Sequence, residues 1–350
     1  FSTSGGNAIS VSDVDVGASD LQVTLSTIDG TLSLPGSAGL TFSVGDGTAD
    51  ASMTFTGTVA NINASLDGLV FAPDLHFNGS SVVAIVTDDL GNSGSGGALT
   101  ATSNVAITVD GVNDGPQNSV PGGQSVNEDN NLTFSTSGGN AISVSDLDVG
   151  ANDLQVTLST TDATLILAST AGLTFSAGGN GNASMTFTGT VANINASLDG
   201  LLFAPDLDFN GTSSVTIITS DQGNSGSGGA LTANSTVAIT VNGVNDAPET
   251  NVPGAQTFDE DNNLTFSTSG GNEISVGDVD AGGSSVEVTL SVANADLTLS
   301  GTNGLDFTVG DGVSDQNVTF SGTVIDINAA LDGMVLAPSL NFNGSSTIES

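Results

Sequence analysis

Apolar residues along this chain fall mainly on alternate positions. Leu21, Val23 and Leu25, then Leu40, Phe42 and Val44, then Met53 and Phe55, and later Val105, Ile107 and Val109 are interleaved with Thr, Ser, Ala or Gln. A period of two places such residues on one face of an extended chain, and the mixture of β-branched and aromatic side chains suits a half-buried strand. Turn clusters such as Gly45-Asp46-Gly47 and Gly91-Asn92-Ser93-Gly94 separate the runs at spacings of roughly ten residues, which predicts a Greek-key sandwich of seven or more antiparallel strands. One stretch departs from the period. Val59, Ile62, Leu66 and Leu69 follow Thr58 at helical spacing and precede Gly68 and Pro73, predicting a short helix with Thr58 as its N-cap. Its apolar stripe is expected to cover an open edge or end of the sandwich.

The whole pattern recurs. Phe134 to Gly200 nearly copies Phe1 to Gly68, and a more diverged version runs from Phe266 to Gly333, so the steps are 133 and 132 residues. That period is too long for a solenoid unit and fits one independently folded domain. The helix returns as Val191, Ile194, Leu198 and Leu201, and again as Val324, Ile327, Leu331 and Met334. Boundaries are expected at Val112-Asn113-Asp114-Gly115-Pro116 and Val244-Asn245-Asp246-Ala247-Pro248, giving sandwiches over residues 1–113, 114–245 and 246–350. The first and third are read as incomplete, because Phe1 lacks the Asn-Asn-Leu-Thr that precedes Phe134 and Phe266, and Ser350 aligns near Ile218. Two explanations stand: a window cut from a longer chain, or strands donated by a neighbouring subunit. The expected class is all-β, tandem Greek-key β-sandwich domains with one short helix each, arranged in a rod, each adding on the order of 35–45 Å.

Charge changes the picture. The chain holds 38 Asp plus Glu, no Lys or Arg and one His, for a formal charge of −38 and a pI near 4.1. Nucleic acid and anionic lipid both demand basic side chains, so neither is an expected partner. A hydrophobic fraction of 37% and a mean hydropathy of +0.18 are too apolar for a disordered acidic tail, and no apolar run is long enough for a spanning helix. Cys, Trp and Tyr are absent, which removes disulfides and thiolate zinc. Catalysis is not expected: Lys, Cys and Tyr nucleophiles do not exist, and His76 becomes Asp208 and Asn341 in the later repeats and reads as a surface residue. Aromatic content of 4%, all Phe, offers no sugar-binding cleft for a carboxylate pair. Without basic side chains, divalent cations are the natural counterions.

Acids sit at recurring places: the linkers, Glu128-Asp129 and Glu260-Asp261, an Asp-x-Asp (Asp13 and Asp15; Asp146 and Asp148; Asp278 and Asp280), and an Asp ahead of a Gly-Asn turn (Asp88 and Asp89; Asp221). In an extended Asp-x-Asp both carboxylates can face one side, and Ca²⁺ takes about six to eight oxygens at roughly 2.3–2.6 Å. Gly45-Asp46-Gly47 and Asp50, by contrast, become Gly178-Gly179-Asn180 and Asn182, which indicates a turn without ligand duty.

Across its whole length the chain, with its Val-Asn-Asp-x-Pro linkers, the Glu about a dozen residues on and the later Asp-x-Asp, resembles the cadherin-like tandem repeats of large bacterial surface adhesins. The resemblance implies sandwiches held end to end through shared Ca²⁺. At the first linker it implies Asn113, Asp114, Asp146 and Asp148 as ligands, with Asp110 and Asp89 as extras. At the second it implies Glu128, Asn245, Asp246, Asp278 and Asp280, with Asp221 as an extra; Asp13 and Asp15 are the repeat-one equivalents of the Asp-x-Asp. The chain departs from the animal cadherin pattern in having no second Asn after the linker Asp and no mid-domain Asp-Arg-Glu. The implied role is an extracellular, cell-surface structural rod, the stalk of an adhesin or the body of a filament, whose partners are neighbouring repeats and, in a filament, identical subunits. Two alternatives remain: a module that binds a glycan or protein receptor through end loops or the Gly94–Gly97 and Gly226–Gly229 loops, and a subunit that polymerises by strand donation.

Overall fold

The computed structural model describes residues 1–92 and 94–349, so Ser93 of the Gly91–Gly94 turn lies outside the described residues. Strands dominate, joined by three eight-residue helices among the described residues, Val59–Leu66, Val191–Leu198 and Val324–Leu331. The chain forms two compact units: Phe1–Ser125 with Asn131–Pro205 and Thr212–Thr240, and Val126–Asn130 with Asp206–Gly211 and everything from Val241 onward.

In the first unit a five-stranded antiparallel sheet runs in the order Thr41–Val44, Ser52–Thr58, Asp20–Ser26, Gly79–Asp88, Thr100–Val109. Strands distant in sequence lie side by side, as a Greek key requires. Leu25 sits between Met53 and Ile85 in register, and Leu21, Val23, Leu25, Met53 and Phe55 are fully buried on one face. Facing them, the pair Gly30–Ser33 and Val70–Pro73 supplies Leu32 to the same core. Two layers around one core make a β-sandwich, and each such Leu or Phe contributes about 1.5–3 kcal/mol relative to its exposed state. The opposite face keeps the polar members of the alternation, with Thr24 and Thr54 hydroxyls paired at 2.9 Å. The layout returns around Leu154–Thr160, which lies between Ser184–Gly189 and Gly211–Ser220, over the second layer of Leu132–Phe134, Leu201–Pro205 and Ala163–Ile166.

The helix is capped as its sequence predicts: the Thr58 hydroxyl accepts from the Asn61 amide, as Thr190 does from Asn193 and Thr323 from Asp326. Ile62 and Leu66 are fully buried. The expected edge-covering role has a specific device. The Asn63 side chain donates to the Val11 carbonyl at 2.9 Å and accepts from the Val11 amide at 2.8 Å; Asn195 does the same to Val144 and Asn328 to Val276. A carboxamide thus stands in for the backbone of a neighbouring strand. The Gly45–Asp50 segment is a turn, in which the Asp50 carboxylate accepts from the Asp46 and Gly47 amides.

One alternating run differs between repeats. Val105, Ile107 and Val109 are half-buried, whereas their counterparts Val237, Ile239 and Val241 in the strand Thr232–Asn242 are 1–2% exposed. In sheet order Thr232–Asn242 has a further strand, Gln124–Asn127, outside it, whereas Thr100–Val109 is the last strand of its sheet among the described residues.

The second unit repeats the plan. Asn317–Thr323 lies between Asp306–Val309 and Ser285–Val292, the last also pairing with Ile348–Glu349. The second layer is Leu264–Phe266, Met334–Pro338 and Ala295–Thr298, and Glu249–Asn251 pairs with Ser275–Gly277. Leu290, Val318, Phe320 and Leu331 are central to its core. A groove of about 380 Å³ is lined in part by Val252, Phe258, Leu264, Ile274, Leu290 and Ile348.

Candidate metal centre

In the second unit, the Glu128-Asp129 and Asp208 loop tips, the Asp278–Asp280 bend and the second linker bring five carboxylates together. Ligand oxygens of Glu128, Asp246 and Asp280 lie within 4.8 Å of one another, as do those of Asp129, Asp208 and Asp246, so Asp246 belongs to both groups. Glu128 is 1% exposed; one of its carboxylate oxygens accepts from the Val244 amide, the other from the Asn210 carboxamide at 3.2 Å. The Asp246 amide donates to Asp280. The Asp208 amide reaches Asp129 at 3.4 Å. Asp129 and Asp208 both have positive φ, 61° and 56°, a conformation that Asp, Asn and His tolerate better than most residues.

These separations are shorter than the roughly 8 Å screening length of physiological salt, so mobile ions do not quench the repulsion. Burial, and after it the charges of Asp280, Asp129, Asp208 and Glu128, push the Asp246 carboxyl above its ordinary value; burial and then Asp129 and Glu128 do the same to Asp208. Asp246 Oδ2 is buried and has no hydrogen-bond partner. A buried carboxylate oxygen without a donor costs free energy unless a cation meets it. An all-oxygen donor set that includes a carboxamide neighbour suits a hard cation such as Ca²⁺.

The first linker, in the first unit, is arranged differently. Asn113 is 7% exposed, its amide nitrogen donating to Asp221 at 2.6 Å and to the Gly229 carbonyl at 3.0 Å. Asp148 accepts from the Asp114 amide at 2.9 Å and from the Ser225 hydroxyl at 3.0 Å. Asp114 lies 3.1 Å from His76 Nδ1, on an exposed pair. Asp221 is fully buried; its Oδ1 accepts from the Gly223 and Leu231 amides at 2.8 Å each. Burial opposes ionisation of Asp221 and Asp148, but the donors prevail and hold both below the ordinary value. Asp146 goes the other way, raised by burial and by the Asp148 carboxylate, and its buried Oδ2 has no partner.

The expected extended Asp-x-Asp is a bend. Asp146 Oδ1 accepts from the amides of Asp148 and Val149, Asp13 from those of Asp15 and Val16, and Asp278 from those of Asp280 and Ala281. Local side-chain-to-backbone bonding wins over the strand period, and at Asp146 it leaves Oδ2 buried without a partner. Those backbone bonds hold the Asp13 carboxyl below its ordinary value. Asp89 repeats the Asp221 loop bonds, to Gly91 and Leu99 at 2.8 Å each. Asp110 and Asn245 are exposed, and Asn245 donates to the carbonyl of Asp246. Sequence reasoning passed over Asp129 and Asp208 as ligands. The available signal was position 208, where the repeats carry His76, Asp208 and Asn341, all polar and all with positive φ, at 62°, 56° and 60°.

No protein-family model matches the chain, and no curated protein sequence matches it. Among solved structures it is similar to the human desmocollin-1 ectodomain (TM-score 0.28, 13% identity, 93% of this chain and 53% of that one). It is also similar to mouse cadherin-23 EC22-24 (TM-score 0.27, 16% identity, 93% and 79%) and mouse protocadherin-24 EC1-3 (TM-score 0.29, 14% identity, 91% and 88%). The chain thus spans about half of the desmocollin ectodomain, and likenesses this low carry no functional weight.

Proposed function

We propose that this chain is part of an extracellular structural array, the stalk of an adhesin or the body of a surface filament, whose tandem sandwiches are stiffened by Ca²⁺ at their linkers. The observation that carries the reading is Asp246: shared by two carboxylate groups, with a buried oxygen lacking any donor, in a chain with no Lys or Arg. Glu128, Asp246 and Asp280 would hold one cation and Asp129, Asp208 and Asp246 a second, tying the tip of repeat two to repeat three. At the first linker Asp114, Asp146 and Asp148 would serve, with Asp146 Oδ2 as the orphaned ligand. The cation supplies charge neutralisation; without it the carboxylates around Asp246 repel and the second linker opens. No catalytic step is assigned, in keeping with a chain devoid of nucleophilic Lys, Cys and Tyr. Calorimetric titration of the chelated protein with Ca²⁺ tests the reading: saturable binding with a rise in melting temperature supports it, and an unchanged melting curve in millimolar Ca²⁺ overturns it.

A further inference from the structure

We propose that the loop from Asp221 to Leu231 is a receptor for the linker asparagine, a site that seats an extended Val-Asn segment by hydrogen bonds alone and holds the first linker without metal. Every polar group of Asn113 except its carbonyl is engaged there. Its backbone amide donates to the Ser227 carbonyl at 2.9 Å, and the Ser227 amide returns a bond of 2.9 Å to the Gly111 carbonyl, a parallel bridge between Val112 and Ser227. Its side-chain nitrogen places both protons, on Asp221 and Gly229, and its Oδ1 lies 3.0 Å from the Ser225 hydroxyl, whose single proton it shares with Asp148. Donors point at the oxygens of Asp221 and at Asn113 Oδ1, so these contacts already serve as the lock.

The receptor is shaped in advance. Gly226 has φ of 65°, and a Cβ there would come within 2.6 Å of the Asn113 nitrogen and 2.7 Å of the Val112 carbonyl carbon, so only glycine lets the linker lie down. Gly223–Leu231 is identical in sequence to Gly91–Leu99. Asp89 holds that first copy by the same two amide bonds, and no Asn side chain bonds to Asp89 among the described residues. The carboxylate-to-amide bonds that close the loop therefore form without the guest, while Gly228, with φ of 139°, departs from its counterpart Gly96. Asp89 is half-buried where Asp221 is fully buried, the difference that a seated asparagine makes.

The test exploits the absence of Cys. Spin labels on Ser103→Cys and Ser176→Cys, both exposed positions, report the distance between repeats one and two in EDTA. The wild-type distribution is expected to be narrow, and Asn113→Ala to broaden it at least twofold. Gly226→Ala, which keeps every acid and Asn113, should broaden it equally, and decides the matter alone if Asn113→Ala does not fold. Widths matching wild type in the folded variants would overturn the receptor. Failure of the Ca²⁺ reading shows separately, as a wild-type melting curve indifferent to Ca²⁺.

Discussion

The two linkers share the sequence Val-Asn-Asp-x-Pro yet keep different company. Around Asp114 stand an imidazole, a hydroxyl, a carboxamide and several amides beside the Asp148 carboxylate, and among the described residues there Asp146 Oδ2 is buried without a partner. Around Asp246 stand four other carboxylates. Each linker also shows what the other does not. The receptor loop that takes Asn113 and the Glu128-Asp129 pair that meets Asp246 both belong to repeat two. Set side by side, the first linker lies in a hydrogen-bonded seat and the second in a carboxylate nest. One equivalent position differs in charge between them, His76 at the first linker and Asp208 at the second.

The comparison can be broken most decisively at Asp246. Asp246→Ala should abolish Ca²⁺ stabilisation of the second unit, which at a hundredfold excess over Kd is worth about 2.7 kcal/mol; scanning calorimetry would show a shift on the order of 10 °C in wild type and none in the variant. Glu128→Gln keeps much of the shape but removes a buried charge, so Ca²⁺ affinity by titration should fall roughly tenfold or more, about 1.4 kcal/mol per decade. His76→Asp should make linker one resemble linker two, raising Ca²⁺ uptake there while lowering stability in EDTA; equal behaviour of variant and parent would end the claim that this residue distinguishes them.

Acid should also separate the regions. Asp246 and Asp208 titrate above the ordinary aspartate value of 3.8, so in EDTA the native state binds protons more readily than the unfolded one. The second unit should then gain stability as pH falls from neutrality through those raised values towards 3.8. Asp148 and Asp221 have the opposite sign: their contribution is present above 3.8 and disappears as pH falls through their lowered values. Amide exchange followed unit by unit reads both. The smallest effect is a control away from the linkers: Thr190→Ala removes a helix cap and should cost about 1 kcal/mol with or without Ca²⁺.

The strands and helices were readable because alternation and cap chemistry are local. Leu21, Val23 and Leu25 face the core as their spacing demands, and Thr58 caps the helix that its position announces. The ligand set was only partly readable. Asp-x-Asp bends because its first carboxylate bonds the following amides, a competition that a strand period does not register. Asp208 entered the site through a left-handed backbone conformation, visible in sequence only as a tolerance for His, Asp and Asn. Asn113 carried the right residue type, but a carboxamide can serve a cation or a hydrogen-bonded seat equally well, and the guest's partners lie more than a hundred residues downstream.

The helix asparagines have a consequence for how such a chain folds at all. Near-identical domains strung in one polypeptide are prone to trade strands with their neighbours during folding. Asn195 and Asn328 occupy both backbone hydrogen-bonding groups of the middle residue of a short strand, at Val144 and Val276, and Asn63 does so at Val11 in the equivalent stretch of repeat one. An edge so occupied cannot template an intruder. Each module carries its own stopper, made from the same chain that it protects.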